Sequence, residues 1–251
     1  MNWTPLDCHA HTTWSDGQLD PDALIAAVRA RGVRPTIADH VSRDVKGAID
    51  TLGGVDVYLS QLEALDVGRS AEFCWHDALW REMPSDTHLR FSHTVGSLHA
   101  VWLPDGSLQR VFSRAWPPAL EPHVYLDAHL DNLERLTHEM PVDILAHPTL
   151  VPIPLRSLPP EELWTEAHEE RMVRLLHNGD LVFEVSSRYQ PHERLVRRAA
   201  NAGVRLSLGS DGHAPEQVGE ITFSLALTRA LGVADDDLFD PALHGRRPPL
   251  A

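Results

Sequence analysis

The stretch Leu6-Asp7-Cys8-His9-Ala10-His11-Thr12-Thr13-Trp14-Ser15-Asp16-Gly17 decides how the rest of the chain is read. It has the pattern of a short strand running straight into a turn. Side chains alternate along an extended chain, so His9 and His11 share one face, and Cys8 and Ala10 share the other. Two imidazoles on one face at a strand end can grip one metal ion. Asp16 follows within the turn, where its carboxylate can bend back toward the same place. A lone His-x-His is common by chance and equally reads as a surface histidine pair beside a turn aspartate. The metal reading needs partners further along.

The chain supplies them at regular intervals. Asp20 and Pro21 open a helix whose apolar stripe is Leu24, Ile25 and Val28, with Gly32 placed to close it. Residues 35–40 then form a predicted strand ending in Asp39-His40, parallel to the first, so His40 can join His9 and His11. Residues 42–67 read as helical, interrupted at Gly53-Gly54. The third strand, 69–75, carries Glu72 inside an apolar run, where a carboxylate is costly unless it pairs with an arginine or ligates a metal. The fourth, 95–101, has His99 near its end, and Pro104-Asp105-Gly106 predicts that 100–112 is a hairpin over the barrel mouth. The fifth, 142–148, ends in His147-Pro148, the sixth is 181–187, and the seventh, 204–213, runs into a turn with Asp211 and His213. Helices are expected over 125–138, 161–178, 192–202 and 216–231, and the Asp- and Pro-rich tail 234–251 is expected to be loosely ordered.

Seven strand–helix units predict a single α/β domain over 1–233, built as a parallel barrel. Catalytic side chains of such barrels collect at the carboxyl ends of the strands. The candidate ligands His9, His11, His40, Glu72, His99, His147, Asp211 and His213 all lie at or near such ends, and Asp16 follows the first. Six histidines and three carboxylates are too many for one tetrahedral ion and enough for two or three. A bridging carboxylate sets ions ~3.5–4 Å apart, suited to clamping both oxygens of a phosphoryl displacement. A metal brings the pKa of bound water toward ~7, so a metal-bound hydroxide serves as nucleophile and no protein nucleophile is predicted.

Composition narrows the classes. The 251 residues carry 22 basic against 36 acidic side chains, a net charge of −14, so long nucleic acid is not an expected partner. The two cysteines, Cys8 and Cys74, cannot build a disulfide framework or a cysteine zinc finger, which suits a reducing cytoplasm. Neither a signal peptide nor a run of ~18 apolar residues is visible, so a cytoplasmic protein without a membrane partner is expected. The one lysine, Lys46, sits in polar sequence and makes a poor Schiff-base or carbamylated-lysine site.

These motifs together (His9-Ala10-His11 with Ser15-Asp16-Gly17, Ala38-Asp39-His40, Ala71-Glu72, Gly96-Ser97-Leu98-His99, Ala146-His147-Pro148 and Gly209-Ser210-Asp211-Gly212-His213) resemble the ordered motifs of the PHP (polymerase and histidinol phosphatase) family. The stand-alone histidinol-phosphatase-like members are the most similar, through Val95-Gly96-Ser97-Leu98-His99 and Phe183-Glu184-Val185. The resemblance implies a distorted (β/α)7 TIM-like barrel and a trinuclear site of two to three divalent ions, zinc, manganese or iron. By motif, His9, His11, Glu72 and Asp211 would hold one ion, Glu72 would bridge to a second held by His99 and His147, and Asp16, His40 and His213 would hold a third. Asp16 stands where some members have histidine, which favours a harder ion such as manganese or iron. Ser186-Ser187-Arg188 replaces an Asn-containing stretch associated with histidinol phosphatases, which leaves the substrate open.

The expected function is a metal-dependent phosphoesterase acting on a small phosphomonoester, with Arg188 and then Arg43 as candidate phosphate-binding cations. A nuclease or nucleotide phosphodiesterase working on short substrates with the same site is the rival reading. An amidohydrolase would lack its usual bridging lysine, a role Glu72 fills better.

Overall fold

A computed structural model describes residues 3–248 of the chain. Its frame is a six-stranded parallel sheet in the order Leu206–Gly209, Val182–Ser186, Ile144–Leu145, Val95–Ser97, Glu72–Cys74, His40–Val41. These strands are buried on both faces, which is why they are written as near-continuous apolar runs.

The segment expected to be strand one is irregular. Its backbone nevertheless bonds to both edges of the sheet system. On one side Cys8 donates to the Leu208 carbonyl and His11 to that of Gly212, each at 2.9 Å. On the other, Asp7 donates to Arg34 at 3.0 Å and Ala38 donates to Ala10 at 2.8 Å. Single bridges, Leu6 with Arg34 and Ala10 with Gly212, take the place of a ladder. The expected second and third strands are each split, into Thr36–Ile37 and His40–Val41 and into Gly68–Arg69 and Glu72–Cys74. The Tyr58 hydroxyl sits at the break, accepting from Asp39 N at 3.1 Å and donating to the Ser70 carbonyl at 2.8 Å. The barrel is therefore distorted on the side that carries the histidine-rich turn.

The helix Pro21–Ala30 begins as read, with Asp20 accepting from Ala23 N at 2.8 Å, and Gly32 behind it has φ +74°. Other boundaries differ. Gly53-Gly54 does not interrupt a helix but opens one: in Leu52–Glu63 the Thr51 hydroxyl accepts from Gly54 N and caps the first turn. The helix expected over 161–178 is two, Pro160–Leu163 and Glu166–Asn178, because Thr165 makes a new cap. The last one is only Thr222–Ala230. Ala100–Trp102 and Leu108–Arg110 form the expected antiparallel hairpin. Asn132 clamps it to the helix Pro122–Glu139, accepting from Trp75 Nε1 and Trp102 N and donating to the Trp102 carbonyl.

From Ala234 as far as residue 248 the tail lies across the amino-terminal end of the sheet. Phe239 is buried and donates its N–H to the Leu206 carbonyl, and Asp240 caps Pro241–His244. Arg246 and Arg247 converge on the buried Asp143. The acidic, proline-rich composition gave no sign of these anchors. Among the described residues, no helix is long and apolar enough to cross a membrane.

One core histidine yields a stability prediction. His129 is buried on the helix Pro122–Glu139 between Tyr125 and Trp164, and burial pushes its pKa down to about 4. An unfolded histidine titrates near 6.5, so below that pH the unfolded chain takes up a proton that the folded chain refuses. This contribution is complete above pH 6.5 and is lost as pH falls toward 4. His129→Leu is expected to remove about 2 kcal/mol of the fall in unfolding free energy between pH 6.5 and 4.5. Urea melts at the two pH values measure it, and an unchanged pH dependence contradicts it.

Candidate metal centre

Buried aspartates that lie outside the expected ligand set shape both histidine-rich turns. Asp39 accepts from Thr12 N and Thr12 Oγ1, both at 2.7 Å, and from Ser15 Oγ at 2.6 Å, which pins the turn that carries Asp16. Gly17 is required there, since a Cβ would lie 2.3 Å from the His11 carbonyl oxygen. Asp7 does the same for the last turn, accepting from Ser210 N, Ser210 Oγ and Gly219 N. Its burial pushes its pKa up to about 6. Asp211 and His147 have φ of +49° and +31°, an uncommon region for residues with a Cβ, held by the surrounding bonds.

The nine expected ligands converge on one place. His9 Nε2 lies 3.0 Å from His11 Nε2, 3.3 Å from Glu72 Oε2 and 4.0 Å from Asp211 Oδ1. His11 Nε2 is 3.5 Å from Glu72 Oε2 and 3.4 Å from Asp211 Oδ1. The other Glu72 oxygen, Oε1, is 3.2 Å from both His99 Nε2 and His147 Nε2. Asp16 lies 3.7 Å from His40 Nε2 and 3.4 Å from His213 Nε2. Ligand atoms about 2.1 Å from a tetrahedral ion stand about 3.4 Å from one another. The observed separations have that size, so this donor set fits metal. Glu72 turns one oxygen to each of two donor groups, the arrangement a bridging carboxylate needs.

The charges point the same way. Burial opposes ionisation of Glu72, but the cluster of histidines around it holds its pKa well below the usual carboxylate range. Burial, aided by neighbouring histidines, keeps His11 and His99 well below the usual imidazole range, neutral and with lone pairs free to ligate. Burial also disfavours a charged His9, yet Glu184, Glu72 and Asp211 outweigh it and raise its pKa well above normal. So much buried negative charge calls for a cation.

The two arginines fare differently. Arg188 edges the cleft above these residues, but its Nη1 donates to the Asp211 carbonyl at 2.9 Å and lies 2.6 Å from His213 Nδ1. Arg43 is turned away from the cleft. Its exposed guanidinium is paired with Glu82 and its backbone N–H with Asp77, since the loop after Val41 sends its side chain outward. Arg110, not singled out in the sequence, takes the place expected for Arg43. It comes in on the hairpin and bonds Asp44, which also accepts from His76 Nε2. The cleft is about 610 Å³. A larger hollow of about 770 Å³, lined by Arg34, Thr36 and Asp240 among others, contains none of the nine residues, so size alone does not mark the site.

Glu184, quoted in the sequence only for the resemblance, is the main residue to which the sequence reading gave no role. Fully buried, it lies 2.7 Å from His9 Nδ1 through Oε1 and accepts from the His147 backbone N–H at 2.6 Å through Oε2. Its signal was the one that singled out Glu72, a carboxylate inside an apolar run. Cys74 Sγ and Ser97 Oγ back His99 Nδ1 at 3.2 and 3.3 Å. Cys8 is a fully buried thiol. His93 and His192 are occupied elsewhere, by the Cys8 carbonyl and by Glu169.

With this geometry in place, comparison with known proteins is informative. No protein-family model and no curated protein matches the sequence. The structure is similar to that of histidinol phosphate phosphatase from Lactococcus lactis subsp. lactis Il1403, which was solved with zinc, L-histidinol and phosphate. The TM-score is 0.70 at 15% identity, over 92% of this chain and 95% of that one. The two chains share a fold. At this identity the likeness speaks for the fold alone, and the fold is the expected distorted barrel. A two-domain protein from Bacteroides vulgatus ATCC 8482, containing a predicted PHP-like metal-dependent phosphoesterase, is a looser likeness, with a TM-score of 0.41 and 16% identity over 85% of this chain and 53% of that one.

Proposed function

We propose that this protein is a metal-dependent phosphoesterase that hydrolyses a small phosphomonoester at a site of two to three divalent ions, zinc, manganese or iron. The observation that carries the reading is Glu72, whose two oxygens face two separate histidine groups at the floor of one cleft. His9, His11 and Asp211 would share one ion with Glu72, His99 and His147 a second, and Asp16, His40 and His213 a third. Ions held there would neutralise phosphate charge and make water acidic enough to attack at neutral pH.

The chain's own groups do the rest. Arg188 presents a guanidinium at the cleft edge for a phosphate oxygen. Arg110, which lines the same cleft from the hairpin and is paired there with Asp44, is a second cation within it. Glu72 and Asp16 stay ionised as acceptors. The net charge of −14 disfavours long nucleic acid as substrate, and Phe112 and Tyr189 at the rim suit a small organic leaving group.

The experiment is a phosphatase screen against a metabolite panel after loading with manganese, zinc or iron, with p-nitrophenyl phosphate and its bis-ester as monoester and diester references. Turnover of monoesters above the bis-ester is expected. Turnover of the bis-ester alone, or of neither, contradicts the proposal.

A further inference from the structure

Glu184 stands behind the centre as Glu72 stands within it. Glu72 faces the Nε2 atoms of His9 and His147 from the cleft. Glu184 reaches the same two residues from the core side, at His9 Nδ1 and at the His147 backbone N–H. Three features show that the position is built for this contact. Glu184 is entirely buried and, among the described residues, is bonded to the two histidines and to no lysine or arginine. Gly209, on the neighbouring strand two residues beyond Glu184's partner Ser207, leaves the room the carboxylate occupies, since a Cβ there would lie 2.2 Å from Glu184 Oε1. His147 has φ +31°, and its N–H donates to Glu184 at 2.6 Å, one of the bonds that hold this turn.

We propose that Glu184 is a positioning residue that prepares two ligands of the metal centre at once. With Oε1 it accepts the Nδ1 proton of His9, which leaves the Nε2 lone pair facing Glu72 and His11. With Oε2 it fixes the His147 backbone, so that this ring turns its Nε2 to Glu72. Carboxylates behind ligating histidines act in this way on tautomer and orientation. Here one carboxylate serves ligands of two neighbouring ions, so loss of Glu184 weakens both sites together. The proposal deepens the reading of the metal centre and rests on it.

The isosteric change Glu184→Gln separates this role from space-filling. Glutamine has the same shape, but one end of its amide is a donor. If the amide oxygen takes the His147 N–H, the NH₂ points at His9 Nδ1 and drives the ring proton to Nε2, where it blocks ligation. If the oxygen takes the His9 proton, the NH₂ meets the His147 N–H, donor against donor. Neither orientation serves both histidines.

The test is a competition titration of zinc into the full chain, with ¹⁵N-histidine spectra of the zinc-loaded protein. In the wild type the His9 ring is expected to carry its proton on Nδ1. Glu184→Gln is expected to bind zinc about 10–100-fold more weakly, with the His9 signal shifted or lost and the metal-free melting temperature little changed. Gly209→Ala, which pushes the carboxylate away without removing it, is expected to move both readouts in the same direction, and it carries the test if Glu184→Gln does not fold. Wild-type zinc affinity together with an unchanged His9 spectrum in the variant overturns the proposal. A wild type that binds no metal overturns instead the reading on which it rests.

Discussion

Glu72→Ala is expected to lose more metal than any single His→Ala variant of the centre, and to lose at least about 10³-fold in kcat/KM, some 4 kcal/mol of transition-state stabilisation. The reason is geometric. Each histidine can give an ion one nitrogen, whereas Glu72 turns Oε2 to His9 and His11 and Oε1 to His99 and His147. Its removal subtracts a ligand from two sites and leaves two cations facing one another without the negative charge between them. The surrounding histidines hold Glu72 ionised, so the wild type offers that charge at any pH near neutral. Elemental analysis of Glu72→Ala beside His9→Ala and His147→Ala, purified without chelator, ranks the three. Full metal content and activity in Glu72→Ala would show that Glu72 is not a bridge.

Arg188→Ala is expected to cost roughly tenfold to a hundredfold in kcat/KM on the best phosphomonoester, the value of one charge-assisted hydrogen bond of ~1.5–3 kcal/mol. If the contact is equal in the ground and transition states, KM rises and kcat holds. If it tightens in the transition state, kcat falls too. Because Arg188 also touches His213 and the Asp211 carbonyl, its loss is expected to loosen the site formed by Asp16, His40 and His213 and to spare the pair joined by Glu72. Metal content should therefore fall by no more than one ion per chain. A kcat/KM within twofold of the wild type would move the phosphate contact to Arg110 or to the ions alone.

The convergence of the nine side chains was legible because parallel strands bring their carboxyl ends to one side of a sheet. Once His9-Ala10-His11, Asp39-His40, Glu72, His99 and His147 are placed at strand ends, topology gathers them. The hairpin was legible from Pro104-Asp105-Gly106, though its cargo, Arg110, was not, because nothing local says which side chain of a hairpin faces the cleft. The direction of Arg43 was no more legible, since it is set by Glu82, 39 residues away. Glu184 was open to reading, since it breaks the apolar run Leu181-Val182-Phe183 as Glu72 breaks Ala71-Phe73. Its partners lie 175 and 37 residues off, which no local pattern reveals. The first strand is irregular because its residues bond to two different neighbours through single bridges, and the tail is ordered by the buried Asp143. Both depend on distant groups.

The most direct measurement is the metal stoichiometry of the reconstituted protein, taken with its phosphomonoesterase activity on the same sample. Two to three ions per chain are expected, with activity lost on chelation and restored by the metal. A stoichiometry below one after reconstitution contradicts the polynuclear centre and the chemistry built on it.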